Sequence, residues 1–198
     1  NHAFLPFLGA RGIAQFTSDP VFRSRLAETP EANPLLAGLT WVTTFPNLAL
    51  TWADTAWLKE RTDLPLVAKG VLSAEDARMA VEAGFSGIVV SNHGGRQVDG
   101  AIAALDALPE VRAAVGPAFP VLMDSGIRRG SDVLKAGALG ADAVLLGRPY
   151  MWGLAVGGAG GVEQVIRNLA AETDLTMALC GGTSFRELNR TLLVRQPG

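Results

Sequence analysis

The chain of 198 residues has one cysteine, one tyrosine and two histidines, and no apolar run approaches the roughly 20 residues that span a bilayer. A single cysteine excludes an intrachain disulfide and fits a reducing compartment, which we expect to be the cytoplasm. We expect no membrane span and no metal site. The 17 basic and 19 acidic residues give a formal net charge of −2, which argues against nucleic acid as a partner because such proteins usually have a basic surface.

From residue 64 onward, apolar runs alternate regularly with stretches of helical spacing. Such alternation is typical of a parallel sheet covered on both faces, and it predicts four strand–helix units of an α/β fold. The predicted strands lie in the segments 64–70, 87–95, 119–130 and 141–151, and the predicted helices in 73–84, 101–115, 131–140 and 160–181. Serine at position 73, acids in the next turn and a closing glycine are typical helix boundaries.

The first 50 residues differ from the rest, because they are irregular and rich in proline, glycine and threonine. Only 18–29 has helical character there, and a further helix is predicted over 51–62 with Thr51 as its N-cap. A long irregular segment beside an α/β core is typical of a lid or a linker. The chain opens NHAFLPFLG without an initiator methionine, so we expect a fragment or a processed chain.

Each of the four apolar runs ends in a polar or charged residue beside a glycine. These ends are Lys69-Gly70, His93-Gly94, Asp124-Ser125-Gly126 and Gly147-Arg148. Turn chemistry alone favours aspartate and glycine, but four such ends in succession are hard to attribute to turns. Ligands of parallel α/β sheets and barrels bind at the carboxyl ends of the strands. The sequence therefore predicts that these ends converge on one site.

Two of these strand ends have the residues of a phosphate site. Glycines at 126 and 130 allow backbone N–H groups to approach phosphate oxygens, and the helix that follows adds the partial positive charge of its N-terminus. Arg148, after Gly147, adds a guanidinium that can bind phosphate in two-point geometry. Phosphate sites of eight-stranded barrels frequently lie at the last two strands. We therefore expect a ligand that contains phosphate.

The segment SNHGGRQVDG, residues 91–100, has a histidine and an arginine separated by two glycines. The residues could serve only a turn and a salt bridge. Alternatively, His93 accepts a proton near neutral pH and Arg96 binds a carboxylate. Lys69 would be a costly unpaired charge at the end of a buried strand unless it faced an anion, such as a phosphate, a substrate carboxylate or a reduced flavin.

SNHGGRQ resembles the signature of the FMN-dependent 2-hydroxy-acid oxidising enzymes, which include glycolate oxidase, lactate oxidase, lactate monooxygenase and mandelate dehydrogenase. The segments LVAKGVLSAEDA, PVLMDSGIRRGSDVLKAGALGADAVLLGRPYMWGLA and LTMAL also resemble that family in order and spacing, over 51 to about 193. LPFLGARGIAQFTSDPVF, together with DSGIR in place of DGGVR, is most similar to the lactate monooxygenase branch. The resemblance implies the carboxyl-terminal half of a (βα)8 TIM barrel, strands 5–8 in residues 51–198, preceded by the loop-4 lid in 1–50.

The resemblance also implies roles for single residues. His93 matches the active-site base, Arg96 the residue that binds the substrate carboxylate, Lys69 the lysine near flavin N1 and O2, and Ser91 a flavin-ring contact. The residues that match segments holding the ribityl chain and phosphate of FMN are Asp124, Ser125, Gly126, Ile127, Arg128, Gly147 and Arg148. Phe4, Phe7 and Phe16 are candidates for closing over the site, and apolar packing within the lid explains them equally well.

The implied activity is oxidation of a small, lactate-like L-2-hydroxy acid by FMN and oxygen, with oxidative decarboxylation in a monooxygenase variant. The resemblance places two active-site tyrosines and the aspartate partner of the histidine in an amino-terminal half barrel, which we expect as a separate or cleaved chain. Tyr150 lies beside the phosphate end and cannot replace those tyrosines. The resemblance further implies a homotetramer. Alternatives are a non-catalytic half-barrel subunit that binds FMN or phosphate, and another FMN barrel enzyme such as an isopentenyl diphosphate isomerase.

Overall fold

The computed structural model describes residues 13–45, 47 and 49–194. The chain divides into two compact units, Asn1–Thr51 and Trp52–Gly198. Among the described helices, none is both long and apolar enough to cross a membrane. The predicted role of the first unit as a lid stays a prediction.

The described part of the first unit is more helical than expected, with α1 (Ala14–Thr17), α2 (Pro20–Arg23) and α3 (Pro34–Thr44). The prediction of an irregular segment was wrong for α3, whose glycine, threonines and valine have low helix propensity. The start of α3 was predictable from the sequence, because asparagine followed by proline is typical of a helix N-terminus. In the structure the Asn33 side chain accepts a hydrogen bond from Leu36 N at 3.0 Å, and the proline occupies the first turn.

Phe16 packs inside this first unit. Its ring centroid lies 6.0 Å from that of Phe22, 5.8 Å from Trp41 and 5.5 Å from Phe45. Of the two explanations for Phe16, apolar packing is therefore the one that the structure supports. Phe4 and Phe7 lie outside the described residues.

The second unit is built on a parallel sheet of four strands in the order β1-β2-β3-β4. The strands are β1 (Val67–Val71), β2 (Gly87–Val90), β3 (Val121–Met123) and β4 (Ala143–Val144). The helices are α4 (Thr55–Lys59), α5 (Ala74–Glu82), α6 (Ala104–Val115), α7 (Gly130–Ala138) and α8 (Arg148–Leu179). Short 3-10 turns cover Trp52–Asp54, His93–Gly95, Phe185–Glu187 and Arg190–Leu192. The predicted order of strands and helices is confirmed.

One face of this sheet is buried under helices. Ile88 and Val90 of β2 and Val121 and Met123 of β3 are at most 1% exposed, and they belong to the core that includes residues of α5, α6 and α7. The other face is more open, since Val67, which begins β1, is 46% exposed. The prediction of a sheet covered on both faces is therefore not met at β1. Within the described chain, β1 and β4 each pair along one edge only.

The boundaries of α8 correct the prediction for the fourth strand and the helix that follows it. The segment 141–151 was predicted as a strand, but β4 ends at Val144 and the helix already begins at Arg148. Pro149 explains this start, because proline is favoured in the first turn of a helix. A kink at Gly157 and Gly158, where Gly158 has φ of +57°, divides α8, and the predicted helix 160–181 corresponds to its second segment.

Arg112 of α6 joins the loops that enter β3 and β4. Its guanidinium donates to three backbone carbonyl oxygens, those of Phe119 at 2.7 Å, Gly140 at 2.7 Å and Gly116 at 2.9 Å. It also pairs with Asp142 at 2.5 Å, and the same carboxylate oxygen accepts from Val121 N at 2.8 Å. These bonds lie at the amino-terminal ends of the strands, the face of an α/β barrel that serves stability.

Candidate active site

Lys69 of β1 and the loops after β2, β3 and β4 line one cavity of about 370 Å³ at the carboxyl ends of the sheet. Every predicted site residue except Ser91 lines it: Lys69 within β1, His93 and Arg96 after β2, Asp124, Ser125, Gly126, Ile127 and Arg128 after β3, and Gly147 and Arg148 after β4. Gly94 and Tyr150, which the sequence analysis placed at a converging strand end and beside the phosphate end, also line it, and the residues that sequence reasoning missed are Leu145, Leu146, Pro149 and Met151. The expected convergence of the strand ends is thus present, while the role of each residue stays a prediction.

Ser91 lies below the cavity and is 2% exposed. Its hydroxyl oxygen accepts hydrogen bonds from Lys69 Nζ and from the backbone N–H of His93, both at 3.0 Å. It also lines a neighbouring cavity of about 360 Å³ that shares Lys69 and His93 with the first. Ser91 therefore holds the side chain of Lys69 and the backbone of His93.

Lys69 faces an anion, as expected, but that anion belongs to the chain itself. Lys69 Nζ lies 2.9 Å from Asp124 Oδ2, and the aspartate side chain is only 17% exposed. Burial raises the pKa of the Asp124 carboxyl, but hydrogen bonds from Ser91, Lys69 and Ser125, together with the charge of Lys69, outweigh it and lower the pKa below its ordinary value. Sequence reasoning missed this pair because β2 separates the two strands that carry its members.

His93 lies on a 3-10 turn with unusual backbone geometry. Its φ is +58°, and Gly94 and Gly95 follow with φ of +69° and +73°. Residues other than glycine avoid this left-handed region, and such exceptions cluster at functional sites. Asn92 closes the turn, since its side chain accepts from Gly95 N at 3.0 Å and donates to Ile102 O at 3.2 Å. Asn92 was missed, although asparagine is a typical turn residue and two glycines follow at 94 and 95.

The helix N-terminus predicted to bind phosphate is already occupied. The backbone N–H groups of Arg128 and Arg129 both donate to Asp132 Oδ2 at 3.0 Å, and Gly130 N donates to Glu172 Oε2 at 3.0 Å. Two carboxylates thus cap the start of α7, and the contribution of this helix N-terminus to a phosphate site stays a prediction. The donors that line the cavity are instead the loop backbone and the arginine side chains.

The cavity has an excess of positive charge. Lys69, Arg96, Arg128 and Arg148 line it against one carboxylate, that of Asp124. Within the described part of the chain, neither Arg96 nor Arg128 has a carboxylate partner. Several apolar residues line the same cavity, namely Ile127, Leu145, Leu146, Pro149 and Met151. This combination fits a ligand that has both an anionic group and an apolar part.

Two of the arginines are held in place by neighbouring groups. Arg148 donates to Gly94 O at 3.0 Å, so it connects the end of β4 to the turn that carries His93. The guanidinium of Arg128 lies over the ring of Trp152, 5.8 Å from its centroid, within the distance of a cation–π contact. Both charged groups are thus oriented at the wall of the cavity.

The profile of the FMN-dependent dehydrogenase family matches residues 2–195. The chain is similar to an L-lactate oxidase of Nostoc sp., with 56% identity over 147 residues that make up 74% of this chain and 40% of the relative. An L-lactate oxidase of Lysinibacillus sphaericus is 45% identical over 195 residues, 98% of this chain and 50% of the relative. Human 2-hydroxyacid oxidase 1 is 49% identical over 149 residues, 75% of this chain and 40% of the relative. The chain spans half or less of the length of these relatives.

Solved structures of mandelate oxidase are similar to this chain in fold as well as in sequence. The structure with benzoyl-formic acid superposes with a TM-score of 0.68 at 54% identity, over 71% of this chain and 43% of that chain. The structure with (S)-2-phenylpropionate gives the same values. The four strand–helix units are the carboxyl-terminal half of a (βα)8 barrel, as predicted.

Proposed function

This chain belongs to the FMN-dependent dehydrogenase family, and from that premise we propose that it supplies half of an FMN-dependent oxidase of small, lactate-like L-2-hydroxy acids. The observation that carries the proposal is that His93 and Arg96, two residues of one turn, line the same positively charged cavity. A base and a carboxylate-binding cation side by side are what a 2-hydroxy acid requires, since it has a carboxylate next to the carbon that is oxidised.

FMN fits the residues of the cavity. We assign its phosphate to the arginines Arg128 and Arg148 and the loop backbone at Gly126 and Gly147, because the first arginine has no carboxylate partner in the described chain and both line the cavity. Its ribityl chain and ring we assign to the remaining predicted residues, Lys69, Ser91, Asp124, Ser125 and Ile127. The bound FMN supplies the acceptor for the two electrons that leave the substrate.

The side chains of the turn would carry out the proton chemistry. Arg96 binds the substrate carboxylate in two-point geometry, which fixes the adjacent carbon and hydroxyl relative to His93. A ring nitrogen of His93 accepts the proton, which comes from the α-carbon if the electrons follow separately and from the hydroxyl if hydrogen leaves as hydride. Lys69 is anchored by Asp124 and Ser91, so its positive charge stays fixed at the wall of the cavity.

The overall reaction has oxygen as the final electron acceptor and yields the 2-oxo acid and hydrogen peroxide. In the monooxygenase form, which we propose on the similarity to that branch, the 2-oxo acid stays bound and reacts with the peroxide to give the shortened carboxylate, CO2 and water. We propose that the amino-terminal half of the barrel completes the site, that the complete enzyme is a homotetramer and that it acts in the cytoplasm. Visible absorption of flavin in the purified complete enzyme, with turnover of L-lactate and glycolate, tests the proposal.

Replacing Arg96 with lysine is expected to lower kcat/KM for L-lactate by about 10- to 100-fold, mainly through KM. A lysine keeps the charge but loses the two-point geometry, and hydrogen bonds between charged groups contribute about 1.5–3 kcal/mol. Steady-state kinetics of the complete enzyme measures the change. Arg78→Lys is the matched control, because Arg78 is exposed on α5 and does not line the cavity.

An unchanged KM in Arg96→Lys would contradict the assignment of the carboxylate. In that case an FMN barrel enzyme whose substrate has no carboxylate, such as an isomerase, becomes the better explanation. If purified complete enzyme contains flavin but oxidises no 2-hydroxy acid, the chain is better described as part of a non-catalytic FMN-binding protein.

A further inference from the structure

Two serine hydroxyls bind three consecutive backbone N–H groups of the turn that carries His93. Ser125 Oγ accepts from Asn92 N at 3.2 Å and from Gly94 N at 3.0 Å, and Ser91 Oγ accepts from His93 N at 3.0 Å. Ser91 directly follows β2, but Ser125 comes from the loop after β3. The turn is thus held from two neighbouring strands.

Asp124 fixes the orientation of the Ser125 hydroxyl. Ser125 Oγ donates to Asp124 Oδ1 at 2.8 Å. A serine hydroxyl has one proton and two acceptor lone pairs. Because the proton of Ser125 is directed at Asp124, its lone pairs remain for the N–H groups of Asn92 and Gly94. Lys69 completes the group by pairing with the other carboxylate oxygen at 2.9 Å.

We propose that Ser125 is a positioning residue for His93: its hydroxyl, fixed by Asp124, locks the turn 92–94 so that the imidazole is aimed into the cavity. The proposal rests on the proposed function, in which His93 accepts the proton of the substrate. The backbone of His93 at φ of +58° is one that residues other than glycine adopt reluctantly, so it needs external hydrogen bonds to persist.

The backbone at Ser125 supports the same assignment. Its φ is +74°, a conformation in which glycine would be less strained. The side chain therefore brings no advantage to the local backbone, and what it does bring is a hydroxyl with three hydrogen bonds to groups of the site. Glycine at this position removes the hydroxyl without adding strain, which makes it an informative substitution.

The test uses Ser125→Gly and Ser125→Ala in the complete, flavin-loaded enzyme. Both remove the hydroxyl, but only glycine relaxes the backbone. Hydrogen exchange by mass spectrometry of a peptide over 88–97 reports on the turn, and steady-state kinetics with L-lactate reports on its consequence. We expect exchange to become about 10-fold faster and kcat to fall about 10-fold in both variants, while KM changes less than about threefold, because misplacement of a base affects the chemical step more than binding.

Ser73→Ala is the matched control. Ser73 Oγ also accepts a backbone N–H, that of Asp76 at 3.1 Å, but at the start of α5, away from the cavity. This variant should leave both the exchange of the peptide 88–97 and kcat at their original values.

Three results would overturn the proposal. Unchanged exchange in both variants would mean that the hydroxyl does not hold the turn. Faster exchange in the glycine variant alone would assign the effect to backbone flexibility. Faster exchange in both with unchanged kcat would leave the serine a structural role only. If the original enzyme oxidises no 2-hydroxy acid, the proposed function fails instead, and the exchange data alone decide whether Ser125 holds the turn.

Discussion

Replacing His93 with glutamine is expected to lower kcat for L-lactate by about 100- to 10,000-fold, the range that a positioned general base contributes. Glutamine is similar in size and keeps hydrogen-bonding capacity, but it cannot accept a proton near neutral pH. The His93 side chain is exposed in this chain, and the contacts that hold its turn come from its backbone N–H and from neighbouring residues. The substitution should therefore disturb the chemistry much more than the fold.

Anaerobic mixing of the oxidised complete enzyme with L-lactate measures this effect directly, as the rate at which the visible absorption of flavin is lost. Retention of flavin and an unchanged melting temperature would show that the variant is intact. A rate within about threefold of the original enzyme would contradict the assignment of His93 as the base, since no general base gives so small an effect.

The second large effect concerns stability. Replacing Arg112 with methionine is expected to lower the free energy of unfolding by about 3 kcal/mol, because hydrogen bonds to charged groups contribute about 1.5–3 kcal/mol and unpaired carbonyl groups add their own cost. Methionine retains the apolar stem of the side chain but leaves the three carbonyls and Asp142 without this donor. Urea unfolding of the complete protein measures the difference.

Arg167→Met is the control for a lost arginine. Arg167 pairs with Glu163 at 2.6 Å one turn away on α8, but its side chain is 73% exposed, and such pairs contribute at most about 0.5 kcal/mol. Equal destabilisation by the two variants would mean that the network of Arg112 is not important for stability. Because Arg112 lies at the amino-terminal ends of the strands, KM for L-lactate should be the same in both variants.

The sequence predicts the residues of the cavity well because of one regularity of parallel sheets. The carboxyl ends of all strands in a parallel sheet lie at one edge. Polar residues at those ends can therefore be predicted to lie close together even when the loop structures are unknown. Lys69, His93, Asp124 and Arg148 were found in this way. The preference of serine for the N-cap position separately places Ser73 at the start of α5, where its hydroxyl accepts from Asp76 N at 3.1 Å.

What the sequence could not predict depends on contacts between distant segments. Glu172 caps Gly130 from 42 residues away, and no local pattern connects the two positions. The pairing of Lys69 with Asp124 likewise depends on how strands that are not neighbours approach one another. Helix α3 was missed for a different reason, since its glycine, threonines and valine have low helix propensity and its local signals, Asn33 and the proline that follows, were not used.

The contact between Gly130 and α8 has a consequence for the order in which the protein assembles. A Cβ at Gly130 would overlap the backbone of Glu172 and Thr173, so the two helices touch at a point where there is no room for a side chain. The loop 126–130, of which 126–128 line the cavity, is thus supported by a segment more than 40 residues later in the chain. During synthesis, we therefore expect this wall of the cavity to reach its final shape only after the second segment of α8 has been made, because the contact joins residues far apart in sequence.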